Sequence, residues 1–114
     1  MTDCIFCRIA AGEIPAEVIF DDGEILAFRD VNPQAPTHIL VIPRRHISTL
    51  LEAGESDAEI LGRLQLTAID LARQEGLEER GFRLVTNCLE EAGQSVFHVH
   101  LHLLGGRPMG WPPG

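Results

Sequence analysis

The stretch His98-Val99-His100-Leu101-His102 constrains this chain more than any other. On a helix the three imidazoles would spread around the surface, whereas the two-residue period of a strand lines them along one face, neighbours roughly 6.7 Å apart. Val99, Leu101 and Leu103 then turn to the opposite face, so the pattern predicts a strand with a core side and a histidine side. Each imidazole titrates near neutrality and serves as nucleophile, acid, base or metal ligand. A polar face of merely hydrogen-bonded histidines explains one such residue better than three in register. A metal-only site is a further alternative, since imidazole is a common zinc ligand, but collinear residues seldom complete a tetrahedron without a group from elsewhere. A phosphoryl centre suits the row better: the middle imidazole attacks phosphorus while its neighbours hold oxygens and protonate the leaving group. Just downstream, Gly105-Gly106 lets the backbone turn sharply or approach a ligand.

The rest of the chain is read as one domain over residues 1–114, with 45% apolar residues to bury a core unaided. A formal net charge of −8 repels polyanions and acidic membranes, so neither nucleic acid nor a membrane is an expected partner. One small anion in a local pocket is still compatible with that field. The longest apolar runs, such as Ile39 to Ile42, fall far short of the roughly 18 residues that span a bilayer. The start, Met1-Thr2-Asp3-Cys4, carries an acid and no apolar stretch, so no secretory signal is expected there. Three cysteines, an odd number, argue against a disulfide framework and for a reducing, cytoplasmic setting.

The expected elements are few. A short helix covers Ile5 to Ala10; Glu17 to Phe20 and Ile25 to Phe28 form a hairpin around the turn chemistry of Asp21-Asp22-Gly23-Glu24. Asn32-Pro33 opens a loop, and His38 to Ile42 is a buried strand stopped by Pro43. A long helix begins at Ser56, with Glu59 completing a capping box, and stops at Gly76. Its apolar stripe, Ile60, Leu61, Leu64, Ala68, Leu71 and Ala72, lies on the sheet. Leu66 and Ile69 fall on the other side, either as ordinary exposed aliphatics or as a second buried face pairing with a partner subunit; the dimer is favoured. Phe82 to Asn87 and Val96 to Leu104 complete about five strands, joined by the loop from Cys88 to Ser95. The class is α+β with an antiparallel sheet, one long helix and one short.

Cys4-Ile5-Phe6-Cys7 has the spacing that lets two thiolates reach one metal, zinc being the best match. A redox pair would want a preceding strand, which is missing here, and two inert cysteines are the bland alternative. Cys88 reads as a free thiol.

His98 to Leu104 resembles the signature of the histidine triad family of nucleotide hydrolases and transferases. Asn32-Pro33-Gln34-Ala35-Pro36-Thr37-His38, Leu40 to Pro43, His46-Ile47, Gly93 to Phe97 and the ending Trp111-Pro112-Pro113-Gly114 resemble its Hint branch, and the likeness runs from about Ile5 to Gly114. The resemblance implies a sheet extended across a homodimer, and His100 as the nucleophile of a covalent nucleotidyl-histidine. It places His102 and His38 around the phosphate in electrostatic and proton-transfer roles. Asp30 matches the carboxylate that binds the ribose hydroxyls; Phe6, Ile9, Phe28 and Val31 match the apolar slot for the base. Asn87, Gly93 and Ser95 match positions near phosphate and leaving group. It also implies that Cys4, Cys7, His46 and His98 hold a structural zinc, with no cofactor needed for catalysis.

The implied activity is hydrolysis of purine nucleoside phosphoramidates to AMP or GMP. Alternatives are dinucleoside polyphosphate hydrolysis, against which the Trp-Pro-Pro-Gly ending argues, and a nucleotide-binding adaptor without significant turnover. The uridylyl transferase branch carries glutamine where this chain has His102. Two departures bear on the leaving group: Arg29 replaces a histidine found in the family, and Cys88 to Ala92 replaces a more glycine-rich loop.

Overall fold

In the computed structural model, residues 3–114 are described; Met1 and Thr2, on which the leader reading partly rests, lie outside them. Helix α1 spans Ile5–Ala10, strand β1 Val18–Asp21, β2 Ile25–Arg29 and β3 Thr37–Pro43. Helix α2 spans Ala58–Gln74, followed by β4, Phe82–Val85, and β5, Leu101–Gly105. The strands form one antiparallel sheet in the order β1-β2-β3-β5-β4.

Aspartates build the first hairpin. The Asp22 carboxylate accepts from the amides of Glu24 and Ile25 at 2.9 and 2.8 Å, and Asp21 accepts from Gly23, whose φ of +90° only glycine adopts freely. Those amide donors hold Asp22 below the usual carboxylate range.

The two faces of the sheet bury different things. Ile25, Ala27, Ile39, Val41, Val99, Leu101 and Leu103 pack with Leu64, Ala68, Leu71 and Ala72 of α2 in the main core. The other face carries a smaller cluster of Leu26, Phe28, Leu40 and Ile42, closed by Phe6 from α1. The expected stripe of α2 is the one buried; Leu66 is exposed.

Three boundaries differ from expectation by two residues or more. The long helix starts at Ala58, after a 3-10 turn over Glu55–Asp57, because Asp57 and not Ser56 anchors the entry. The Asp57 carboxylate accepts from the Gly54 amide at 2.8 Å and pairs with Arg45. Strand β4 ends at Val85 instead of Asn87. The last strand runs from Leu101 to Gly105, not from Val96, because its pairing with β3 stops at Leu101 opposite Val41 and the chain before it leaves the ladder. There the Val99 amide donates to the Ile47 carbonyl at 2.7 Å instead. Gly105 and Gly106 serve packing: a Cβ at Gly105 would lie 2.4 Å from Leu77, and one at Gly106 2.8 Å from Pro36.

Candidate functional site

The alternation of the histidine stretch survives even where the ladder is missing, since Val99, Leu101 and Leu103 are all buried in the main core. The imidazoles are thereby directed to the opposite face. They divide there between two sites instead of forming one row. His98 turns toward α1, while the rings of His100 and His102 lie tilted against each other with centroids 5.0 Å apart and His102 meets His38 of β3 at 5.2 Å.

Backbone partners assign the tautomers of His100 and His38, and His38 assigns that of His102. The His100 Nδ1–H donates to the His98 carbonyl at 2.7 Å, which leaves Nε2 with a free lone pair in the neutral ring. The Gln34 amide donates to His38 Nδ1 at 3.0 Å, so the proton of neutral His38 sits on Nε2. That Nε2–H donates to His102 Nδ1 at 2.9 Å, which puts the proton of His102 on its own Nε2. The pair therefore presents one nucleophilic nitrogen, on His100, beside one N–H donor, on His102.

Burial is the main force on these rings. It holds His100 below the usual imidazole range, against the opposing hydrogen bond to His98 and the charge of Asp30. His102 is pushed down to about 4, first by desolvation and then by the neighbouring His100 and His38. His38 is lowered by burial and partly restored by Asp30, whose Oδ2 lies 3.4 Å from His38 Nε2. All three are neutral at pH 7.

His100 and His102 border a cleft of about 290 Å³ whose apolar walls include Phe6, Ile9, Phe28 and Val31. Phe6 meets Phe28 edge-on at 5.4 Å and His100 at 5.0 Å, so α1 walls the cleft beside His100. Val31 stands at the mouth, 95% exposed. Asp30 borders the same cleft; its Oδ1 already accepts from the Asn32 amide at 2.8 Å. Ser95 is exposed on the rim. Asn87, half-buried beyond β4, and Gly93, exposed in its loop, do not border it. Arg29 does, but its guanidinium is committed elsewhere, donating twice to Glu75 at 2.9 Å and to Glu17 at 3.2 Å.

Gln94 is a site residue to which sequence reasoning assigned no role. Its Oε1 accepts from the Leu89 amide at 2.8 Å, and its Nε2 donates to the carbonyls of Ser48 and Val96 at 2.9 and 3.1 Å. One buried carboxamide thus ties the loop before Ser95 to the segment after His46. The available signal was an amide side chain, donor and acceptor at once, inside a Gly-Gln-Ser loop.

The second cluster joins Cys4, Cys7, His46 and His98, whose donor atoms all lie within 4.8 Å of one another. His46 and His98 Nδ1 are 3.2 Å apart, and the Sγ–Nδ1 separations are 3.3 Å for Cys4–His98, 3.3 Å for Cys7–His46 and 3.5 Å for Cys7–His98. A zinc tetrahedron has edges of about 3.3 Å between nitrogens and about 3.6 Å between sulfur and nitrogen. His98 Nε2–H donates to the Pro43 carbonyl at 2.7 Å, which aims an unprotonated Nδ1 at the other donors. The residues present fit zinc, with all four positions filled by protein.

Comparison with known proteins places these features in a wider group. The HIT domain family matches residues 11–109. The chain is similar to a 14 kDa zinc-binding protein of Brassica juncea, with 52% identity over 98% of this chain and 100% of the relative. It is 53% identical to the adenylylsulfatase HINT1 of Arabidopsis thaliana, over 96% of this chain and 76% of that one. Its fold is similar to the crystal structure of a HIT family hydrolase from Legionella pneumophila, with a TM-score of 0.96 and 56% identity, covering 98% of this chain and 100% of that one.

Proposed function

This chain belongs to the HIT domain family, and we propose that within it the protein is a purine nucleoside phosphoramidate hydrolase, a single domain over residues 1–114, releasing AMP or GMP. The observation that carries the reading is the His100 ring, locked through Nδ1 so that a neutral Nε2 stands at the cleft beside the His102 N–H. A relative named adenylylsulfatase supports a nucleotide substrate.

In the proposed reaction the base lies between Phe6, Ile9, Phe28 and Val31, with the ribose near Asp30. His100 Nε2 attacks phosphorus, the P–N bond breaks, and the leaving amine takes a proton. An anionic phosphoryl group offsets the desolvation that keeps His102 and His38 neutral, so one of them binds a proton in the complex and delivers it to the departing nitrogen. Water then attacks the nucleotidyl-histidine, restoring His100. Ser95 at the rim contacts the phosphoryl oxygens, while leaving-group roles for Asn87 and Gly93 rest on the family resemblance alone.

Cys4, Cys7, His46 and His98 would hold a structural zinc, which supplies a tetrahedral crosslink and no open position for substrate. The crosslink fastens α1, hence Phe6, beside His100. Catalysis in this reading needs no further cofactor. Exposed Leu66 and Trp111, half-buried Ile69 and the open edge of β4 support a homodimer that continues the sheet across two chains.

The test is AMP release from adenosine phosphoramidate in buffer containing chelator. Wild-type protein releases AMP, and His100→Ala loses at least about a thousandfold in rate. A chiral phosphorus substrate shows retention, as two in-line steps require. Inversion, or undiminished turnover by His100→Ala, overturns the covalent route.

A further inference from the structure

Glu75 caps the C-terminal end of helix α2, where Gly76 at φ +77° turns the chain and the Leu77 amide closes on the Ala72 carbonyl at 2.9 Å. A carboxylate suits that position poorly, since the C-terminal end of a helix carries partial negative charge and favours cations. Glu75 also continues the buried stripe of Leu64, Ala68, Leu71 and Ala72, and its side chain is 23% exposed, so the acid is partly desolvated as well. Helix stability gives no reason for a glutamate here. The reason lies in the sheet.

Both carboxylate oxygens of Glu75 accept from Arg29, Nη1 to Oε1 and Nη2 to Oε2 at 2.9 Å each, and Thr37 donates its hydroxyl to the same carboxylate. Arg29 is the last residue of β2 and Thr37 the first of β3, so one helix carboxylate holds both ends of the loop 30–36. The two residues lie on the helix side of the sheet with Ile25, Ala27, Ile39 and Val41, an even number of positions from each in the same strand. Asp30, next after Arg29, and His38, next after Thr37, therefore turn to the histidine side. The ladder between β2 and β3 stops at Arg29 opposite Ile39, whereas β5 still holds Thr37 opposite Gly105. Thr37 is thus the fixed point, and Glu75 ties the end of β2 to it. The Asp30 amide donates to the His38 carbonyl at 3.0 Å, and Asp30 Oδ2 lies 3.4 Å from His38 Nε2. The clamp is remote from the open edge of the sheet, since β3 and β5 separate β2 from β4.

We propose that Glu75 is a positioning residue for the site: through Arg29 and Thr37 it fixes the Asp30 carboxylate against His38 from the far side of the sheet, and with it the grip on the ribose hydroxyls. A binding constellation works only when its groups are held to within about 0.5 Å, and a loop end beyond the last ladder bond does not supply that by itself. The bidentate arginine supplies it, because its planar fork fixes direction as well as distance. The ribose role of Asp30 rests on the hydrolase reading above, whereas the hold of Glu75 on the Asp30 backbone is measurable without any nucleotide.

The experiment has two readouts. Calorimetry compares AMP with 2′-deoxy-AMP, which lacks one hydroxyl donor to Asp30. Wild-type protein binds AMP about tenfold more tightly, the scale of one hydrogen bond to a charged group. Glu75→Gln, which turns an amide against a guanidinium N–H, brings the ratio to about two, and Leu64→Ala, a loss of core packing, leaves it near about ten. Without ligand, hydrogen exchange at the Asp30 amide accelerates in Glu75→Gln at least about tenfold relative to the Val41 amide in the middle of β3, whereas in Leu64→Ala the two accelerate together. Thr37→Val, the loss of one hydroxyl, moves both readouts in the same direction by less and serves if Glu75→Gln does not fold. A ratio unchanged from a selective wild type in Glu75→Gln, or an Asp30 amide that responds to it no more than to Leu64→Ala, overturns the clamp. An accelerated Asp30 amide in a protein with no preference for AMP keeps the clamp and removes Asp30 as the ribose ligand. A preference kept in Glu75→Gln and lost in Asp30→Asn does the reverse.

Discussion

Three of the imidazoles owe their state to a main-chain group. The amide of Gln34, the carbonyl of His98 and the carbonyl of Pro43 settle the protons of His38, His100 and His98, and none of these partners is conspicuous as a side chain. Their consequence for pH has a definite sign. His102 titrates at about 4 in the folded protein against 6.5 when unfolded, so between those values the unfolded chain binds more protons. Stability is therefore level above about pH 6.5 and falls as pH drops toward about 4. His102→Gln flattens that part of the curve relative to wild type, as read by urea midpoints from pH 7 to 4.5. Gln94→Ala leaves the Leu89 amide and two carbonyls without their partner. A loss of about 2 kcal/mol in urea unfolding, with a raised KM for adenosine phosphoramidate, is expected from the loosened loop.

At the level of elements, periodicity was the reliable guide and boundaries were not. The stripe of α2 and the alternation of β5 appear in the structure as read, because each is a local consequence of helical or strand geometry. Leu64→Ala, at a position 3% exposed, should cost about 3 kcal/mol in urea unfolding while leaving the site chemistry alone. The start of α2 shifted because the Asp57 carboxylate turns back to the Gly54 amide and pairs with Arg45 from a distant segment, which sets a 3-10 turn ahead of the helix. The last strand was overextended for a related reason: alternation continues through Val99, but pairing with β3 stops at Leu101, and the Val99 amide turns to the Ile47 carbonyl. Arg29 illustrates the same limit. Read as a determinant of the leaving group, it instead clamps β2 to the end of α2 through Glu75, and the arginine holds that carboxyl below its usual range. Glu75→Gln should lower the thermal midpoint by a few degrees, the expected effect of about 1 kcal/mol.

For the molecule as a whole, the proposed zinc joins α1 to the histidine stretch, since Cys4 and His98 stand 94 positions apart in sequence and their donors 3.3 Å apart in space. Metal analysis should find one zinc per chain, and Cys4→Ser/Cys7→Ser should lose it and lower the thermal midpoint by roughly 10 °C. Sedimentation at micromolar concentration should report a dimer. The sequence by itself determined the class of fold, the burial of one face of the last strand and the residue types of both sites, because alternation, helical spacing and a two-residue cysteine interval act over a few neighbouring positions. Only the tertiary structure decided which nitrogen carries each proton and where the ladder of the last strand begins. Those outcomes depend on partners dozens of residues away, brought within hydrogen-bonding distance by the packing of α1 and the sheet, and no local pattern encodes them.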